Sequence, residues 1–110
     1  MRILLCCAGG FSTNMLMQNM KKVIRNSAKL NEDDFKFDAI PADSIEQVID
    51  NWDIVLIGPQ VSHKVDFISS VCDPRQIPYV VLDKDIYGKM DGATVLKIAL
   101  VTYKKYKNTI

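Results

Sequence analysis

At 110 residues, the chain has room for one domain and none for a second core beside a catalytic one. Hydrophobic residues at 48% and charged residues at 25% argue against a disordered or low-complexity chain. With 14 basic and 13 acidic side chains the net charge is +1, so no basic stripe invites nucleic acid, and no apolar run approaches the roughly 18 residues of a membrane span.

Met1-Arg2 leads directly into a strand-like run instead of a signal sequence, so a cytoplasmic location is expected. In that compartment Cys6, Cys7 and Cys72 are expected to be reduced thiols, and an odd number of cysteines cannot all pair.

Arg2 to Cys6 is an apolar run stopped by Ala8-Gly9-Gly10, as for a parallel strand buried on both faces. Ser12 or Thr13 then caps a helix whose inner stripe is Leu16, Met17, Met20, Val23 and Ile24. Phe35, Phe37 and Ala39 alternate with Lys36 and Asp38, the pattern of a half-exposed edge strand, which Pro41 ends.

Asp43 with Glu46 reads as a capping box opening a short, polar, superficial helix to about Asn51. Asp53 to Ile57 is the next buried strand, closed by Gly58-Pro59 and followed by a helix carrying Val65, Ile68 and Val71. Pro78 opens a fourth strand, Tyr79 to Leu82, and Asp83 to Met90 reads as a polar loop. Asp91 then caps a long helix with Val95, Leu96, Ala99, Leu100 and Tyr103 inside.

Alternating strands and helices imply right-handed crossovers, and the two fully apolar strands belong in the middle. The expected fold is therefore α/β, residues 1–110 forming one three-layer sandwich with a four-stranded parallel sheet in the order 2-1-3-4 and helices on both faces. The loops after the strands then share one rim: Cys7 to Thr13, Pro41 to Asp43, Gly58 to His63 and Asp83 to Lys89.

The run Cys7-Ala8-Gly9-Gly10-Phe11-Ser12-Thr13 places a thiol at a strand end, then small residues, then a helix start. Glycines let successive N–H groups converge and the helix N-terminus adds about half a positive charge, so the loop reads as a phosphate cradle. A thiolate gains from the same field, which equips Cys7 to attack phosphorus. Cys6 belongs to the other face of the strand and is explained by burial, as is Cys72.

Gln60 has an amide to offer a phosphoryl oxygen, although a plain turn explains it equally. His63 is the sole histidine and Asp83 follows the fourth strand, so both are candidates for a supporting acid or base on the rim, against ordinary surface roles.

The strand ending at Cys7, the Ser12-Thr13 pair, Gly58-Pro59-Gln60 and Tyr87-Gly88-Lys89-Met90-Asp91-Gly92 together resemble the enzyme IIB component of the bacterial sugar phosphotransferase system, in its lactose, cellobiose and chitobiose class. The resemblance runs along nearly the whole chain. Five residues separate the family's cysteine from its threonine, as five separate Cys7 from Thr13, so the family's phosphorylated cysteine maps to Cys7 and not Cys6.

The resemblance implies that a phosphohistidine on a IIA partner charges Cys7, which passes the group to a disaccharide-type sugar entering through a membrane IIC permease. No cofactor or metal is expected, and neither nucleic acid nor membrane insertion.

Two other readings share the architecture. Low-molecular-weight tyrosine phosphatases and arsenate reductases also begin with a cysteine loop, but use Cys-x5-Arg, and this chain has Thr13 where the guanidinium would be. A phosphate- or FMN-binding module would share the cradle without needing a thiol. A response regulator would need acidic residues where Cys6-Cys7 and Gly58-Pro59 stand, and is rejected.

Overall fold

The computed structural model describes residues 1–8 and 11–109, apart from the side chains of Phe11 and Ser12. Four strands, β1 (Arg2–Cys7), β2 (Lys36–Pro41), β3 (Ile54–Ile57) and β4 (Tyr79–Val81), form a parallel sheet in the order β2-β1-β3-β4, as expected. The α-helices are α1 (Phe11–Arg25), α2 (Val65–Cys72), α3 (Lys84–Gly88) and α4 (Gly92–Thr109).

Period-2 alternation in the central strands divides the core into two layers. Ile3 and Leu5 of β1 face Leu16, Met20, Val95 and Leu96 of α1 and α4. Leu4 and Cys6 face the opposite layer, where Ile45, Ile49, Ile68 and Cys72 pack. All four residues of β3 are buried, each side chain contributing about 1.5–3 kcal/mol of transfer free energy. As an edge strand, β2 tolerates Pro41 as its last residue, opposite Cys7.

The amino ends of β1 and β3 are clamped by Arg2 and Asp53. Backbone N–H of Arg2 donates to Asp53 Oδ2 at 2.7 Å, and its Nη2 to Oδ1 at 3.0 Å. Burial pushes the Asp53 carboxyl upward, but hydrogen bonds from Arg2 and its charge outweigh this and hold it below the usual carboxylate range. The clamp fixes the end of the sheet opposite Cys7.

Two expectations are corrected. Residues 42–51 are not a polar, superficial helix: Ala42–Gln47 and Ile49–Asn51 are 3-10 turns that bury Ala42, Ile45 and Ile49. The spacing of three between Ala42 and Ile45 matches the three-residue turn of a 3-10 helix, and the carboxylate of Asp43 is engaged by Lys64 instead of by the backbone. Pro41 occupies the N-cap, with no side-chain cap bond. The stretch after β4 is likewise not all loop, because Asp83 accepts from the N–H groups of Asp85 and Ile86 and so starts α3.

At α4, Asp91 is the cap that the sequence suggests: it accepts from Thr94 N–H at 3.1 Å, and the Thr94 hydroxyl donates to it at 2.7 Å. Gly92 brings this helix against α1 so closely that a Cβ there would lie 2.6 Å from Asn19 C and 2.7 Å from Met20 N. The Asn19 side-chain amide also donates to the Met90 carbonyl at 2.8 Å, and Met90 takes a left-handed φ of 53° just before the cap.

Candidate functional site

Cys7 ends β1, and its neighbours on the rim come from the strands on either side. Pro41 lies beside it at the end of β2, while the Gly58 N–H after β3 donates to the Cys6 carbonyl at 2.8 Å. Gly58 leads into a 3-10 turn, Pro59–Lys64, that buries Val61 and turns Gln60, His63 and Lys64 toward the rim. A Cβ on Gly58 would meet Gln60 Oε1 at 2.5 Å, so the missing side chain is what lets the Gln60 amide fold over the strand end.

These loops enclose a cleft of about 230 Å³ whose wall includes Cys7, Pro41, Asp43, Gln60, His63 and Lys64. Its charged wall is one ion pair, Lys64 Nζ to Asp43 Oδ1 at 2.5 Å. Both side chains are partly or largely exposed, so the pair is worth about 0–1 kcal/mol to stability. Cys7 is 5% exposed, and its thiol donates to the Ile40 carbonyl at 3.7 Å. A larger hollow of about 490 Å³ lies at the amino end of β4 between Tyr79, Lys105 and Tyr106, and none of the three cysteines lines it.

The other cysteines are unsuited to chemistry at neutral pH. Burial, reinforced by the neighbouring thiols, pushes Cys6 up to about 12, and burial with the Asp73 charge pushes Cys72 up to about 11. Both are fully enclosed in the α2-side core.

Thr13, in the first turn of α1, is 2% exposed, and its hydroxyl shares a hydrogen bond of 2.9 Å with the Tyr87 hydroxyl of α3. This buried bond ties the start of α1 to the segment after β4, and sequence reasoning missed it: Tyr87 stands in the motif before the last helix, with nothing to say where its hydroxyl points. The structure thus brings Cys7, Ala8, Gln60 and His63 to one cleft. Asp83 is not in its wall, being occupied as the cap of α3. Gly9 and Gly10, and the side chains of Phe11 and Ser12, lie outside the described residues.

Residues 2–98 match the family model described as "PTS system, Lactose/Cellobiose specific IIB subunit". The oligo-beta-mannoside-specific EIIB component of Bacillus subtilis is 30% identical over 99 residues, covering 90% of this chain and 92% of that protein. The cellobiose-specific EIIB component of Lactococcus lactis is 28% identical over 102 residues, covering 88% and 91%. Among solved structures, the cellobiose-specific phosphotransferase IIB component of Borrelia burgdorferi superposes with a TM-score of 0.77 at 31% identity, over 96% of this chain and 94% of that one. The lactose-specific IIB domain of Streptococcus pneumoniae gives 0.79 at 14% identity over 94% and 97%, a likeness of fold. These matches favour a phosphotransferase component of sugar uptake over a phosphatase, and the chain belongs to the lactose/cellobiose-specific IIB family of the sugar phosphotransferase system.

Proposed function

We propose that Cys7 is the phosphoryl carrier of this IIB component. The observation that carries the reading is that, of three thiols, Cys7 alone sits in the wall of the rim cleft, while burial keeps Cys6 and Cys72 protonated. The Cys7 thiolate attacks the phosphorus of a IIA phosphohistidine. The S–P bond forms as the N–P bond breaks, and the electron pair returns to the imidazole. In the second transfer a sugar hydroxyl attacks the same phosphorus, the S–P bond breaks, the thiolate is regenerated and the hydroxyl proton leaves to solvent.

Such a transfer between two nucleophiles depends on in-line positioning and dispersed positive potential. In this reading the sequence Ala8 to Thr13 is the phosphate-binding loop that offers backbone N–H groups for that purpose. Gln60 adds a side-chain amide from the opposite wall, and His63 stands beside it. Thr13, where the phosphatases carry arginine, leaves out the guanidinium that would hasten hydrolysis, as suits a carrier that must keep its cargo until the acceptor arrives.

IIB components work with IIA and IIC partners; for this chain both would dock on the Cys7 rim in turn, with a IIC permease delivering a disaccharide-type sugar. In this reading residues 1–110 are one domain of a cytoplasmic carrier; among the described residues no helix is long and apolar enough to cross a membrane. The test is intact mass after incubation with phosphoenolpyruvate, enzyme I, the histidine-containing phosphocarrier protein and a lactose/cellobiose-type IIA component. Wild type gains one phosphate and Cys7→Ser gains none; an unchanged Cys7→Ser label, or hydrolysis of p-nitrophenyl phosphate, sinks the proposal.

A further inference from the structure

We propose that Lys64 is the cation for the phosphoryl group on Cys7, and that Asp43 holds Lys64 in reserve until that group arrives. The inference rests on the phosphocysteine reading.

It starts from topology. Asp43 follows β2 and Lys64 follows β3, the two strands that flank β1, so their ion pair of 2.5 Å spans the carboxyl end of β1, whose last residue is Cys7. All three residues lie in the wall of one cleft of about 230 Å³, the space of roughly eight waters at about 30 Å³ each. A group filling that space lies within reach of a lysine on its wall.

Charge gives the direction. A phosphoryl group brings about −1.5 to −2 charges at neutral pH, against the single charge of Asp43. Among the described residues of that wall Lys64 is the one permanent cation. An exposed pair contributes little net attraction, so a dianion in the same cleft draws the ammonium from the carboxylate at small cost. The four-carbon stem allows the swing while the backbone stays fixed at the end of the 3-10 turn. Asp43 thus does two things: it occupies Lys64 in the unphosphorylated state, and it opposes the incoming negative charge. Together they lower the occupancy of phosphocysteine and keep the phosphoryl group transferable.

The two residues therefore have opposite effects on phosphorylation, whereas a purely structural ion pair would have one. The experiment mixes purified phosphorylated IIA component with wild type, Lys64→Gln, Lys64→Arg and Asp43→Asn, and reads by intact mass the equilibrium ratio of phosphorylated to free IIB. Thermal melts confirm that each variant is folded. Lys64→Gln is expected to lower the ratio about three- to tenfold, Lys64→Arg to restore it, and Asp43→Asn to raise it, in the range of one charge-assisted contact near the surface. If the wild type takes label on Cys7 but Lys64→Gln and Asp43→Asn move the ratio the same way, or not at all, the inference is overturned and the carrier reading survives. If the wild type takes no label on Cys7, the carrier reading fails and this inference with it.

Discussion

Replacing Gly92 with alanine tests how the start of the long helix seats against the middle of α1. The new Cβ would lie 2.6 Å from Asn19 C, 2.7 Å from Met20 N and 2.9 Å from Asn19 Cβ, two of them backbone atoms of an α-helix that cannot turn aside. Carbon contacts ordinarily begin at about 3.5 Å, so the helices must part by nearly 1 Å. Overpacking of this kind costs about 1–3 kcal/mol. Alanine's better helix propensity offsets at most about 1 kcal/mol of that, and less in the first turn. A net loss of about 1–2 kcal/mol lowers the melting temperature of a domain this size by roughly 4–8 °C. The separation also stretches the Asn19 amide bond to the Met90 carbonyl, so the loss should appear in urea titration with an unchanged slope. A Gly92→Ala protein as stable as wild type would refute the close-approach argument.

Three further outcomes follow from the same geometry. Tyr87→Phe and Thr13→Val each lose about 1–2 kcal/mol in urea titration, and the double variant loses less than their sum, because they share one buried bond; full additivity would deny the coupling. Iodoacetamide on the native protein adds one group, on Cys7, and reaches Cys6 and Cys72 only after denaturation, as peptide mapping would reveal; early alkylation of Cys72 would contradict its burial. Asp53 and Asp91 are both held below their ordinary carboxylate range, the first by Arg2 against the opposing effect of burial, the second by hydrogen bonds from Thr94. A depressed folded value means that this stabilisation is complete above the unfolded value of about 3.9 and is lost as pH falls through the folded one. Asp53→Asn should therefore flatten the fall in melting temperature below about pH 4, and an unchanged profile would remove Asp53 from the account.

What was legible in the residues, and what was not, follows a physical division. Strand order could be read because Leu4 to Cys6 and Ile54 to Ile57 have no polar face, whereas Phe35, Phe37 and Ala39 alternate with charges and belong at an edge. The same period of two separates Cys7 from Cys6. Misreading began where local chemistry was recruited by a distant partner: Asp43 looks like a cap in sequence, but Lys64, 21 residues away, takes its carboxylate, and Ile45 with Ile49 turns the segment inward. Asp83, a candidate acid for the rim, also has its carboxylate on the backbone N–H groups of Asp85 and Ile86 at the start of α3, a role its place after β4 did not announce. The bond between Thr13 and Tyr87 spans 74 positions and leaves no periodic signal at either end.

The most direct test of the account is the position of the phosphate on the charged protein. Trypsin leaves Cys6 and Cys7 together on the peptide of residues 3–21 and Cys72 on that of residues 65–75, so fragment ions across the first peptide separate the two neighbours. Phosphate on Cys7 alone is the predicted result. Phosphate on Cys6, on Cys72 or on His63 would contradict it.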